Sequence, residues 1–87
     1  MDDQTVFIID DDDAVRDALQ LLVTSVGLKA ETFADGLAFL DFIQPGHTGC
    51  LILDVRMPGM SGMELQEELK RRQLPLPIIF ITGHGDI

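Results

Sequence analysis

The residues best suited to chemistry in this 87-residue chain are carboxylates placed at the ends of apolar runs. Asp10-Asp11-Asp12-Asp13 follows directly on Thr5-Val6-Phe7-Ile8-Ile9, Asp54 closes Cys50-Leu51-Ile52-Leu53, and Thr82 closes Ile78-Ile79-Phe80-Ile81. Carboxylates that converge on one crevice repel each other and resist desolvation, so some take up protons unless a cation compensates them. A hard divalent ion does so. Mg²⁺ accepts one or two carboxylates together with water and a phosphate oxygen, and Mn²⁺ shares the preference for oxygen. A carboxylate beside such an ion can act as a nucleophile toward phosphorus, because the cation screens two negative partners. A hydroxyl at Thr82 can donate to a phosphoryl oxygen. Nucleophile, cation and oriented donor are the parts a phosphoryl transfer needs.

Each residue also has a plainer reading. Four aspartates at a helix start can be a cap and first-turn acids that complement the helix dipole, and for Asp12 and Asp13 this is the better account. Asp10 and Asp11 follow immediately on a buried run and favour the functional reading. Asp54, between an apolar run and a Pro-Gly loop, is poorly explained as a solvated face. Thr82 gains weight only from its place at a strand end. A Ca²⁺ loop is excluded, since Val15 stands where that loop requires Gly. His84 and His47 lack partners at ligand spacing and read as loop residues. Cys50 reads as a small hydrophobe, and Met57, Met60 and Met63 as packing residues.

These residues need elements to hold them. Thr5 to Ile9 is a short β-branched and aromatic run, the pattern of a strand covered on both faces. Val15, Ala18, Leu19, Leu22, Val23 and Val26 then fall at helical spacing, as a stripe expected to be core, and Gly27 follows as a stop. Lys29 to Phe33 is a weaker strand. Asp35 is the expected cap of a second helix marked by Leu37, Leu40 and Ile43, which Pro45-Gly46 closes. Cys50 to Leu53 is a third strand. Ser61-Gly62-Met63-Glu64 reads as a capping box for a third helix, with Leu65 and Leu69 inward and Lys70, Arg71 and Arg72 at its negative end. Ile78 to Ile81 is a fourth strand.

The order β-α-β-α-β-α-β implies a parallel sheet with right-handed crossovers and helices on both faces, an α/β doubly wound architecture. Ligands in such sheets sit beyond the carboxyl ends of the strands, where the strand order reverses. If the first strand is central, with strand two on one side and strand three on the other, that crevice lies between strands one and three, whose ends carry Asp10, Asp11 and Asp54.

Fifteen acids against six bases, a net charge of −9, argue against binding a nucleic-acid backbone or an anionic membrane surface through this stretch. One cysteine allows no internal disulfide and suits a reducing compartment. No apolar run is long enough to cross a bilayer. A cytoplasmic location is the expectation. A domain this small buries only about 60–65% of its unfolded surface, so its core is thin.

Three segments carry a resemblance. Val6-Phe7-Ile8-Ile9-Asp10-Asp11, Leu51 to Gly62 with its Asp54-Val55-Arg56-Met57-Pro58-Gly59 centre, and Ile79-Phe80-Ile81-Thr82-Gly83 resemble, in order and spacing, the signature segments of the response-regulator receiver domain. The ending Thr82-Gly83-His84-Gly85-Asp86 is similar to the FixJ-type branch, whose members usually carry a LuxR-type DNA-binding domain downstream. The resemblance implies a flavodoxin-like sheet of order 2-1-3-4, truncated before the receiver's fifth strand, with residues 1–87 as the N-terminal portion of the domain and no output domain. It implies that Asp54 accepts a phosphoryl group from a sensor histidine kinase, and that Asp10, Asp11, Asp54 and the backbone carbonyl of Arg56 hold Mg²⁺ or Mn²⁺. Thr82 would contact the phosphoryl group as a switch, and Gly83 would leave room for the donor. It implies a part of a transcriptional regulator that reaches DNA only through another domain, and not a stand-alone enzyme. Two other readings stand beside it. One is a haloacid-dehalogenase-like phosphohydrolase with Asp10 as nucleophile and Asp12 as acid–base. The other is a non-catalytic fragment acting through protein contacts. A fourth strand left at a sheet edge, Ile78 to Ile81, is expected to favour self-association.

Overall fold

The computed structural model describes residues 4–55 and 59–81. Its elements follow the expected alternation: β1 (Gln4–Ile9), α1 (Asp13–Ser25), β2 (Lys29–Phe33), α2 (Gly36–Phe42), β3 (Thr48–Asp54), α3 (Gly62–Arg71) and β4 (Ile78–Ile81). The four strands form one parallel sheet in the order β2-β1-β3-β4. The chain leaves β1 toward β2 on one side and returns to pair β3 on the other, so the order reverses between β1 and β3.

Strand alternation divides the core in two. Phe7 and Ile9 of β1 and Leu51 and Leu53 of β3 point to one face, where they pack with Phe39, Leu40 and Ile43 near α2 and with Leu65 and Leu69 of α3. Val6 and Ile8 point to the other face and meet Val23, with Leu19, Cys50 and Ile52 at its margin. Both faces of β1 are therefore covered, which explains its continuous apolar run. Gly49 opens the close approach of β3 to β1. Its φ is +135°, and a Cβ there would lie 1.9 Å from the Thr5 carbonyl oxygen.

The helix ends carry the expected chemistry. Asp12 caps α1 through its side chain, which accepts from the backbone N–H groups of Ala14 and Val15, and Asp35 caps α2 by accepting from Ala38. Both halves of the Ser61–Glu64 capping box are formed at α3, with bonds of 3.1 and 2.8 Å. Lys70 and Arg71 lie in its last turn. Arg72 pairs with Glu68 and also donates to the Leu40 carbonyl oxygen at 3.2 Å, tying α3 to α2.

Two packing expectations are corrected, those for the α1 stripe and for Met63, and the buried side of α2 is now defined. The stripe on α1 is core only at Val23, with Val15 and Leu19 half-buried, while Ala18, Leu22 and Val26 are exposed. Val23 is the α1 residue that packs against Val6 and Ile8, with Leu19 at the margin of that cluster. On α2 the inward position is Phe39 rather than Leu37, which is exposed; Gly36, Leu40 and Ile43 complete the buried side. Met60 packs against the core as expected, but Met63 faces solvent. Cys50 is a half-buried free thiol, and His47 stacks on Phe42 with ring centroids 5.2 Å apart.

Candidate phosphoryl and metal site

Register builds the site. Ile9 of β1 pairs with Leu53 of β3, so the next residues along, Asp10 and Asp54, emerge side by side at the carboxyl ends of two adjacent central strands. Both point to the face shared by Ile8 and Ile52, because side chains alternate along a strand. The site thus lies at the reversal of strand order, the position where such sheets place ligands.

Asp10 and Asp54 are buried, at 1% and 0% exposure, whereas Asp11 reaches solvent. Each of the three offers a carboxylate oxygen within 4.8 Å of the others. Asp10 is held at several points. Its N–H donates to the Phe33 carbonyl at 3.2 Å, and its Oδ1 accepts from the Asp12 N–H at 2.9 Å. Its other carboxylate oxygen, Oδ2, is buried without a hydrogen-bond partner among the described residues. Burial pushes the Asp10 carboxyl above its usual range. The Asp12 N–H opposes the rise, and the charges of Asp54, Asp11 and Asp12 add to it.

A buried carboxylate oxygen left without a donor, beside two further carboxylates, fits a hard cation with oxygen ligands. The donor set of Asp10, Asp11 and Asp54 suits Mg²⁺ or Mn²⁺ and not a soft metal. The N-terminus of α3 packs closely on the backbone at the end of β3: a Cβ at Gly62 would lie 3.0 Å from Phe80 and 3.4 Å from the Asp54 carbonyl oxygen.

The sequence reading is thus placed in part. Asp10, Asp11 and Asp54 come together. Arg56 and Thr82 lie outside the described residues, as do Met57, Gly83 and His84. Val55, just before Arg56, donates to the carbonyl of Ile81, just before Thr82, at 3.1 Å. Asp12 is exposed and engaged as a cap, and Asp13 is exposed in the first turn of α1, as the plainer reading holds. Asp12, the acid–base of the phosphohydrolase alternative, is engaged as the cap of α1 and is not one of the three clustered carboxylates.

One residue was not singled out by sequence reasoning. Arg16, in the first turns of α1, donates through Nη1 to the Asp10 carbonyl oxygen at 2.7 Å and pairs through Nη2 with Asp13. The available signal was a lone base one helical turn after four acids.

The family model of the response regulator receiver domain matches residues 6–87 of the chain. The response regulator protein TodT of Pseudomonas putida is 52% identical over 82 residues, which cover 94% of this chain and 36% of that protein. The transcriptional regulatory protein FixJ of Bradyrhizobium diazoefficiens is 46% identical over 82 residues, covering 94% of this chain and 40% of that one. Among solved structures, the response regulator StyR superposes with a TM-score of 0.89 at 52% identity, over 97% of this chain and 42% of that chain. The crystal structure of FixJ-N gives 0.87 at 41% identity, over 100% of this chain and 70% of that one. The chain spans 36% and 40% of the lengths of TodT and FixJ.

Proposed function

The chain belongs to the response regulator receiver domain family, and from that premise we propose that it is the N-terminal portion of a Mg²⁺-dependent phosphoacceptor whose acceptor is Asp54. One observation carries the reading: three carboxylates, two of them buried, meet at the reversal of strand order. In the proposed reaction an Asp54 carboxylate oxygen attacks the phosphorus of a phosphohistidine on a sensor histidine kinase. A P–O bond forms as the P–N bond breaks, and the imidazole leaves with the bonding electrons and regains a proton. Asp54 becomes an acyl phosphate. Bound by Asp10, Asp11, Asp54 and the Arg56 backbone carbonyl, Mg²⁺ would screen the charge of the incoming phosphoryl group. Asp10 and Asp11 hold the negative field that recruits the cation, and the Thr82 hydroxyl donates to a phosphoryl oxygen and reports its arrival.

The polypeptide takes part in its own modification and is not a stand-alone enzyme. Its relatives TodT and FixJ are named as a response regulator and a transcriptional regulator; by that likeness the phosphorylated state controls transcription through a DNA-binding domain outside these residues. Such a kinase presents phosphohistidine in the cytoplasm, where the chain is proposed to act. No helix among the described residues is long and apolar enough to cross a membrane.

Labelling with acetyl phosphate in the presence of Mg²⁺ tests the reading, with the site mapped by mass spectrometry. The expected result is one phosphoryl group on Asp54, lost in Asp54→Asn and lost on chelation of the metal. Undiminished labelling of Asp54→Asn, mapped to another aspartate, overturns it.

A further inference from the structure

We propose that Arg16 is the positioning residue of this site, fixing the peptide that joins Asp10 to Asp11 and thereby aiming the Asp11 carboxylate. The inference rests on the metal-site reading above and deepens it. At the end of β1 the sheet ladder holds the Asp10 N–H, through Phe33, but among the described residues no backbone N–H reaches the Asp10 carbonyl oxygen, which accepts from Arg16 Nη1 at 2.7 Å. A charged donor at that distance makes one of the stronger bonds available to a carbonyl. The guanidinium is itself anchored. Its side chain is 18% exposed, it rises from a helix turn capped by Asp12, and its second nitrogen pairs with Asp13. A planar fork held on one prong points the other with little loss of freedom.

Asp11 depends on this bond. It is exposed, and no hydrogen bond among the described residues holds its carboxylate. Its place within the cluster follows from the orientation of the preceding peptide, whose oxygen is the atom Arg16 grips. Rotation of that peptide would swing Asp11 away from Asp10 and Asp54 while leaving those two on their strands.

The sign of the effect separates positioning from charge. A cation near a divalent-ion site weakens binding through space, so deleting Arg16 would tighten binding if its charge were all that mattered. Positioning predicts the reverse. Groups that orient metal ligands typically contribute about 10–100-fold in affinity.

The test is Mn²⁺ titration of the chain, followed by electron paramagnetic resonance, for wild type, Arg16→Gln and Arg16→Lys, with metal-free melting recorded alongside. The expected result is about tenfold weaker binding in Arg16→Gln, with a changed spectrum of the bound ion, and an intermediate affinity in Arg16→Lys, which keeps the charge but not the fork. Unchanged or tighter binding in a folded Arg16→Gln overturns the proposal. If that variant does not fold, wild-type affinity and spectrum in Arg16→Lys overturn it instead. Absence of Mn²⁺ binding by the wild-type chain removes the metal site and this inference together, whereas binding that both variants keep removes only the role of Arg16.

Discussion

At the scale of single residues, the site is built against its own stability. Asp10 is buried beside Asp54, its carboxyl is raised by desolvation and neighbouring charge, and one of its oxygens has no donor among the described residues. A carboxyl whose folded pKa exceeds its unfolded value binds protons more tightly when folded. Its contribution therefore favours the fold at pH below the unfolded value near 3.8, and is lost as pH rises through the folded value. At neutral pH, without metal, Asp10 is a net cost. Asp10→Asn keeps the acceptor for the Asp12 N–H and removes the charge, so it should raise the metal-free melting temperature by several degrees. The advantage over wild type should be small near pH 4 and grow as pH rises. Mg²⁺ should reverse the order, because a ligand that binds only the folded state stabilises wild type more than the variant. Thermal melts across pH, with and without Mg²⁺, check both halves; an Asp10→Asn variant less stable than wild type without metal contradicts the account. Gly49 is the opposite kind of residue, one that the backbone needs. With φ at +135° and the Thr5 carbonyl 1.9 Å from where a Cβ would sit, Gly49→Ala must push β3 away from β1. A loss of roughly 3 kcal/mol or more is expected by chemical denaturation.

At the scale of elements, end signals read more truly than faces. Asp12, Asp35 and the Ser61–Glu64 box mark helix starts because each satisfies backbone N–H groups that the helix leaves open, and that chemistry is local. The box also fixes the end of α3 that abuts Asp54 through Gly62. Ser61→Ala should lower stability by about 1 kcal/mol, read as a lower urea midpoint with an unchanged slope; no change would mean that packing of Leu65 and Leu69 alone sets α3. The buried face of a helix is not local. Leu37 and Phe39 both sit in an apolar pattern, and which turns inward is decided by Phe7 and Phe33, against which Phe39 packs with ring centroids 5.5 and 5.4 Å away. On α1, Leu22 and Val26 have the spacing of a core stripe, but spacing records only which residues share a face and not how much surface lies opposite. Arg16 escaped attention for a related reason. Its partner is a backbone carbonyl, and a carbonyl has no letter in the sequence.

At the scale of the whole molecule, topology was legible because a parallel sheet buries its central strands on both sides, leaving continuous apolar runs that end where the chemistry begins. With the strand order that the receiver resemblance implies, Asp10 and Asp54 could be paired from that rule before any register was known. The same architecture leaves apolar surface uncovered. Consecutive residues of β4, Ile79 and Phe80, are 53% and 37% exposed on opposite faces of an edge strand, and α1 exposes Leu21, Leu22 and Val26. An edge of this kind, without inward charge, offers its unpaired backbone groups to another strand. A net charge of −9 opposes the meeting of two copies, and salt weakens that opposition over distances beyond the screening length. The 87-residue chain should therefore associate as its concentration rises, and more strongly at high salt than at low. Ile79→Lys puts a charge on the exposed face of the edge and should reduce association while leaving the melting temperature nearly unchanged, since Ile79 contributes little to the core. Sedimentation velocity over a wide concentration range, at low and high salt, measures this. A strictly monomeric mass under every condition would show that the exposed edge is not a pairing surface and that charge, or the twist of a four-stranded sheet, suffices to keep copies apart.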